Sequence, residues 1–552
     1  MLSSTSTGTH ARARIHILPS ELLELIFNNN IDPTTKENSG LNATLVASWV
    51  CRSWRALLLD SPSLWASVID LGCLTSTGIS EIMARTGDAP LSVYRYESMD
   101  YAQACERLLP ILVRHFHRIR YLRIFINLRP LIFEMGRPVY PTIKSGDWQP
   151  LCRPAPSLEH FDFRFHSWRR GQKPIFGPGL FGGQAARLRV LRVSSRALYP
   201  QDLNAPWVPQ LRHLEFEEEQ VLDSITPAEW LSALKNMPQL EFFFLKSGFI
   251  KFDHFTTDEE PTLPSGLTAV HLPFLTDLLL NIRGLTNATI FLKYILPAPN
   301  CRMHLNVDAT APPGEDASGL QTLFTDALSS HLQRWFGETI TPSASPSINL
   351  HVEAGSITVE LQPRPPNVND NASANLPWHF TLSGSRYPRP PSNWSLPLKA
   401  FSPFDLGAIT ELELGTDSAV RCDTTVMSFL RSLCNVHTLR AGARTLDDLV
   451  SVGSLNPPGS SEFEGILFPE LECVKVKYLI QGPAMPSSRP EHEPSRGEPE
   501  TELWRPVRSF LDWRERMGSA VRVLDLRDWP SNGEQVPEFD DSNGMEVLYI
   551  RS

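Results

Sequence analysis

Four groupings in this 552-residue chain have the residue types that binding or catalysis uses. Gly177, Gly179 and Gly182 have the G-x-G-x-x-G spacing of a dinucleotide loop, where small residues let the backbone approach a pyrophosphate at a helix N-terminus. That chemistry needs a strand before the loop and a crossover helix after it. Only four residues separate Gly183 from an apolar strand motif at Leu188, so the stretch reads as a glycine-rich connection. His115 and His117 stand two apart with no Cys or carboxylate pair to complete a tetrahedral site, and read as surface histidines. Arg164, Arg169, Arg170 and Lys173 surround Trp168, a set able to hold a phosphate or nucleic acid; in an acidic chain they read as a solvated loop. Glu217, Glu218 and Glu219 follow a strand motif and read as a solvated run. Without a G-x-S-x-G elbow, a P-loop or an H-E-x-x-H helix, no catalytic, cofactor-binding or metal-binding residue is assigned. The chain is expected not to be an enzyme.

A hydrophobic content of 41% with 20% charged residues places the chain among globular proteins, and 47 prolines imply many breaks between elements. Its formal net charge of -10 gives no general attraction to nucleic acid or an anionic membrane, and neither is expected as a partner. The most apolar stretches, such as 275–282, fall far short of the roughly 20 residues that span a bilayer. The first 19 residues have no apolar run of signal-peptide length. A cytoplasmic or nuclear location is therefore expected. The eight cysteines (Cys51, Cys73, Cys105, Cys152, Cys301, Cys422, Cys434 and Cys473) form no CxxC pair and read as buried free thiols.

The remaining chemistry is that of apolar surface, and it concentrates in 17–65. Leu18-Pro19 opens a helical stretch in which Leu22, Leu23, Ile26 and Phe27 recur at helical spacing. Leu45, Val46, Trp49, Val50, Trp54 and Leu57 form a second stripe, closed by Asp60-Ser61-Pro62 and followed by Leu64-Trp65. Helices this short cannot hide so wide a stripe on one another, so part of it must face another protein or the rest of the chain.

Leu18-Pro19, Glu21-Leu22-Leu23, Ile26-Phe27, Val50-Cys51-Arg52-Ser53-Trp54-Arg55 and Ser61-Pro62-Ser63-Leu64-Trp65 occur in the order of the F-box, which this segment resembles. It departs from the family pattern in a long first loop, 28–40. The strand-like 66–71, the helix at 79–87 that ends in Arg85-Thr86-Gly87, and the strand at 89–94 resemble the segment next to the F-box in many fungal, mushroom-type members. The resemblance implies that Leu18, Pro19, Leu22, Leu23, Ile26, Phe27, Val50, Cys51, Trp54, Leu64 and Trp65 form the docking and framework residues for a Skp-type adaptor. Through that adaptor the chain would join a cullin ubiquitin ligase, while the rest of it holds a protein substrate for ubiquitin transfer.

Downstream, the pattern of one apolar residue, two variable, one apolar, one variable, one apolar returns ten times. It begins at Ile119, Leu158, Leu188, Leu211, Leu240, Leu275, Ile409, Val436, Leu471 and Val521. Consecutive starts lie 30 (158 to 188), 23 (188 to 211), 29 (211 to 240) and 27 (409 to 436) residues apart, near the period of leucine-rich repeats, without their consensus Asn. Helical stretches at 227–237 and 426–434 each precede a motif. The expected fold class is α/β: a short N-terminal helical F-box, then an irregular leucine-rich-repeat-like α/β solenoid. The expected divisions are a flexible 1–14, the helical module at 15–70 and the solenoid at 71–480, with an insertion at about 300–400. A disordered polar loop at 481–501 and a closing helix with last strands at 502–552 complete them. The alternative to a ligase adaptor is a ligase-independent interaction scaffold.

Overall fold

The computed structural model describes residues 18–29, 40–127, 132–134, 137–139, 146–166, 179–194, 200–218, 225–247, 266–298, 301–308, 317–339, 347–353, 356–362, 378–383, 396–416, 424–454, 466–477, 501–528 and 544–548. It is mixed α/β with mostly parallel strand pairing, and it divides into two compact units, Met1–Leu222 and Asp223–Ser552. The expected flexible N-terminus (1–14), residues 168–173, Glu219 and Cys422 lie outside the described residues. So does nearly all of the polar stretch 481–501.

In the first unit four helices precede any strand: α1 (Ser20–Asn29), α2 (Gly40–Val50), α3 (Arg52–Leu59) and α4 (Pro62–Ser67). Pro19 supplies the carbonyl that accepts from the amides of Leu22 and Leu23 as α1 begins. Cys51 is extended and its Sγ accepts from Trp54 N at 3.4 Å, capping α3. Pro62 opens α4 at the position where a missing N–H is tolerated. The run 66–71 is not one strand, as expected from its alternation: Ala66 and Ser67 close α4, and only Ile69–Asp70 forms β1. Helix α5 (Ser76–Arg85), capped by Thr75, leads to β2 (Leu91–Tyr94). Short β3 (Met99–Asp100) and α6 (Tyr101–Gln103) follow, then a π-helical turn and α7 (Leu109–His115). Strand β4 is Ile119–Asn127, a hairpin joins β5 (Ile132–Glu134) to β6 (Arg137–Val139), and β7 (His160–His166), β8 (Val190–Ser194) and β9 (His213–Glu218) complete the unit.

Every recurrence of the apolar motif runs into one of these strands or into a counterpart in the second unit, and equivalent positions meet in register. Leu122, Phe161, Leu191 and Leu214 form one row, and Ile124, Phe163, Val193 and Phe216 the next, all buried. The motif's first residue closes a turn: Leu158 N donates to Ala155 O, Leu188 N to Ala185 O and Leu211 N to Val208 O. The next residue then reaches the previous strand, Glu159 N to Arg120 O and Arg189 N to Glu159 O. The apolar triplet thus serves as a turn that launches a strand whose alternate side chains point inward. From Gly179 onward the glycine-rich stretch is such a connection, while Gly177 lies outside the described residues. Gly179, Gly182 and Gly183 have positive φ, and a Cβ at Gly182 would stand 3.1 Å from Cys152 O. The amides of Gly179 and Leu180 donate to Asp202 Oδ1.

The second unit contains helix α8 (Pro227–Lys235), with a capping box between Thr226 and Glu229, then β10 (Phe242–Ser247), β11 (Val270–Leu272) and β12 (Asp277–Arg283). Next come α9 (Leu285–Tyr294), β13 (Ile295–Pro297), β14 (Arg302–Asp308), α10 (Ala317–Thr339), β15 (Ser347–Glu353), β16 (Ser356–Gln362) and β17 (Trp378–Ser383). The rest is α11 (Leu396–Ala400), β18 (Glu411–Thr416), α12 (Thr424–Ser432), β19 (Thr438–Gly442), α13 (Ala443–Ser454), β20 (Cys473–Lys477), α14 (Thr501–Arg516), β21 (Val523–Asp525) and β22 (Glu546–Leu548). Strands β10, β12 and β14 pair in parallel and in chain order, as do β18 to β22. Between them the order reverses. Strand β14 pairs with β17, β17 and β16 are antiparallel, β16 and β15 are antiparallel, and β15 is parallel to β18. The irregular segment expected at about 300–400 is therefore a three-strand meander sewn into the sheet.

Candidate functional site

The eleven residues expected to form an adaptor site separate into two sets by burial. Leu23, Phe27, Leu64 and Trp65 are buried and form the framework. Phe27 meets Trp54 edge to face at 4.9 Å. Trp65 Nε1 donates to Leu58 O at 2.7 Å, and the Arg85 guanidinium lies 5.0 Å above the Trp65 ring. These contacts tie α1, α3, α4 and α5 together. Pro19, Leu22, Ile26, Val50 and Cys51 are exposed, while Leu18 and Trp54 are half-buried.

The exposed set has four members that the motif did not supply: Leu25, Val46, Trp49 and Leu59. Trp49 is 70% exposed, the most open large apolar side chain among the described residues. A signal for two of them was present, because Val46, Trp49 and Val50 repeat at i, i+3, i+4 on α2. Seven of the ten large apolar side chains exposed among the described residues fall between Leu22 and Leu59, on α1, α2 and α3, a concentration that scattered surface exposure does not give. Burying a fully exposed side chain of this size stabilises by about 1.5–3 kcal/mol; these are 39–70% exposed, so covering them contributes about half that each, on the order of 5–10 kcal/mol against an association cost of roughly 4–15 kcal/mol.

A cavity of about 460 Å³ is lined by Asn28 of α1, Ser63 and Ser67 of α4, and Ser92, Tyr121 and His160 of the strands, with Arg120 and Glu159 also facing it. The His160 ring stacks on Tyr121 at 4.3 Å. Burial, with Arg192 nearby, pushes the imidazole pKa down to about 3, so His160 faces the cavity uncharged.

The outward strand face of the first unit carries a row of alternating charge, Arg123, Asp162, Arg192 and Glu215, set by the strand register. Arg164 is not in a solvated loop but on β7, with Nε 2.8 Å from Asp162, Nη2 2.5 Å from Glu215 and Nη1 3.1 Å from Glu217. Arg164 and Glu217, the first residue of the acidic run, thus belong to one network. Arg192 Nε adds 2.9 Å to Glu215. Burial alone would raise the Glu215 pKa, but the His213 hydrogen bond and the Arg192 and Arg164 guanidinium groups hold it at about 2. A carboxylate depressed on folding contributes stability above its ordinary value of 4.5, and that contribution is lost as pH falls toward 2. Acid titration of stability is therefore expected to show a steeper loss between about pH 4.5 and 2 in the native chain than in Glu215→Gln. Equal slopes in urea melts at stepped pH would refute this.

His115 is half-buried at the end of α7 and His117 is exposed. Among the described residues no three of His, Cys, Asp and Glu gather as metal ligands, and no helix is long and apolar enough to cross a membrane. The cysteines differ from expectation. All seven described are free thiols, but only Cys301 is buried, and Cys51, Cys73 and Cys434 are exposed, because Cys51 caps α3 and Cys73 and Cys434 lie in turns. No family model matches the chain, and no curated protein matches it.

Proposed function

We propose that the chain is the substrate-recognition subunit of a Skp-cullin-F-box ubiquitin ligase, docking on a Skp-type adaptor through α1 to α3 and holding a target protein on its strand-rich body. The observation that carries this reading is the exposed apolar surface of Leu22, Leu25, Ile26, Val46, Trp49, Val50 and Leu59 on helices that match the F-box order. The body is read as an irregular leucine-rich-repeat-like solenoid, which the in-register recurrence of the apolar motif supports. The chain itself performs no chemistry in this reading; it positions a target for transfer by its partners.

Trp49 is read as the anchor, since it is the largest and most exposed of these side chains and aromatic residues dominate binding when a partner covers them. Trp49→Ala is expected to weaken the complex with a purified Skp-type adaptor by about 30-fold, the equivalent of roughly 2 kcal/mol, in isothermal titration. Failure of the native chain to bind any Skp-type adaptor would exclude the ligase reading and leave the scaffold.

A further inference from the structure

On the outward face of the second unit, Asn349, Glu413, Arg440, Lys475 and Asp525 form one row across β15, β18, β19, β20 and β21. Its two carboxylates are engaged by cations from outside the row. Glu413 takes the Lys477 ammonium, with His351 Nε2 3.8 Å away. Asp525 is gripped by Arg527 through Nη2 at 2.7 Å and Nε at 2.9 Å. Lys475 is opposite Asp525 in register and helps to lower its pKa, but Arg527 occupies that carboxylate. Arg440 and Lys475 stand opposite each other with no hydrogen bond or ion pair to a described residue, and Arg440 Nε is buried without an acceptor.

Two cations directly opposed across a ladder repel, and a desolvated guanidinium N–H without a partner adds its own cost. An arriving anion relieves both. In the first unit the comparable cations Arg164 and Arg192 are already neutralised by Asp162 and Glu215. Beyond Arg440, the next residue of β19 on this face is Gly442, so on that side the strand places no side chain beside Arg440.

We infer that Arg440 and Lys475 form a docking pair for an acidic segment of a partner polypeptide, one carboxylate for each cation. Adjacent strands separate the two Cα atoms by about 4.8 Å, and the long stems of Arg and Lys spread to meet carboxylates two residues apart on an extended chain, about 7 Å. A single phosphoryl group would instead concentrate two negative charges between Glu413 and Asp525, both already ionised in their pairs, which disfavours it.

The test is direct binding of a fluorescein-labelled peptide of alternating glutamate and glycine to the full chain, followed by anisotropy at low and raised salt. Binding that weakens with salt, and that the glutamine counterpart lacks, is expected. Arg440→Gln with Lys475→Gln should weaken it about tenfold or more, whereas Arg522→Gln, whose partner Glu472 lies at the strand starts, should leave it unchanged. If the double variant loses its native circular dichroism, Lys475→Gln alone is read. No binding, equal binding of the glutamine peptide, or binding that survives the variants overturns the inference. Tighter binding of a phosphoserine peptide of the same length overturns the carboxylate assignment. Because no adaptor is present, these outcomes are independent of the ligase reading.

Discussion

Leu22→Asp is expected to abolish adaptor binding while leaving the thermal melt of the chain unchanged, and Leu23→Asp is expected to destroy both. The two leucines are neighbours on α1, yet Leu22 is 46% exposed and Leu23 only 5%. An aspartate at 22 stays in water in the free chain and loses its hydration only when a partner covers it. That penalty, at least about 3 kcal/mol, is a hundredfold or more in affinity. An aspartate at 23 is desolvated in the folded chain itself, beside Phe27, and removes a packed side chain as well. Its cost of about 4 kcal/mol or more falls on the helical module. Titration calorimetry and circular dichroism on both variants separate the two effects. If Leu22→Asp binds as the native chain does, the exposed face of α1 is not the docking surface.

The second large effect is expected at Arg514 on α14. Its side chain is fully buried and donates from Nε to Ser519 O at 3.0 Å, from Nη1 to Leu467 O at 2.6 Å and from Nη2 to Phe468 O at 3.1 Å. Phe468 has a positive φ of 53°, a conformation an L-residue adopts at a cost, and the guanidinium holds its carbonyl. Burial lowers the Arg514 pKa to about 10, and the acceptors that retain its charge are carbonyls. Arg514→Met removes the cation's desolvation penalty but orphans the carbonyls of Ser519 and Leu467, each worth about 1–3 kcal/mol, while Phe468 O keeps the Leu471 amide at 3.1 Å, so the net loss is about 2 kcal/mol. Urea unfolding followed by tryptophan fluorescence should show an earlier midpoint with the same m-value. A loss under about 1 kcal/mol would show that water or a rearranged turn replaces the guanidinium.

The sequence was most legible where period and register agree. All ten apolar triplets run into strands, because a turn-plus-strand unit forces the same three inward positions each time it recurs. Legibility failed where a pattern names an element but not its neighbour. The alternation at 347–353 and 356–362 specifies strands, whereas only the ladder shows that β15 joins β18 and leaves β17 beside β14. The site shows the same division. Leu22, Leu23, Ile26 and Phe27 have one residue type and one spacing, and which i, i+4 pair faces inward depends on α3 and α4, which no local pattern specifies. Arg164 and Glu217, 53 residues apart, could be paired only once the strands were in register.

The reversed meander also bears on how the chain is made. During synthesis β14 finds β12 at once, but its other flank must wait for β17, about seventy residues later. At roughly 5–20 residues per second that flank stays open for on the order of 4–14 s, with α10, β15 and β16 emerging in the meantime. A β14 edge left unpaired for seconds is the place where a second nascent chain can join, so crowded ribosomes endanger this protein most at mid-chain.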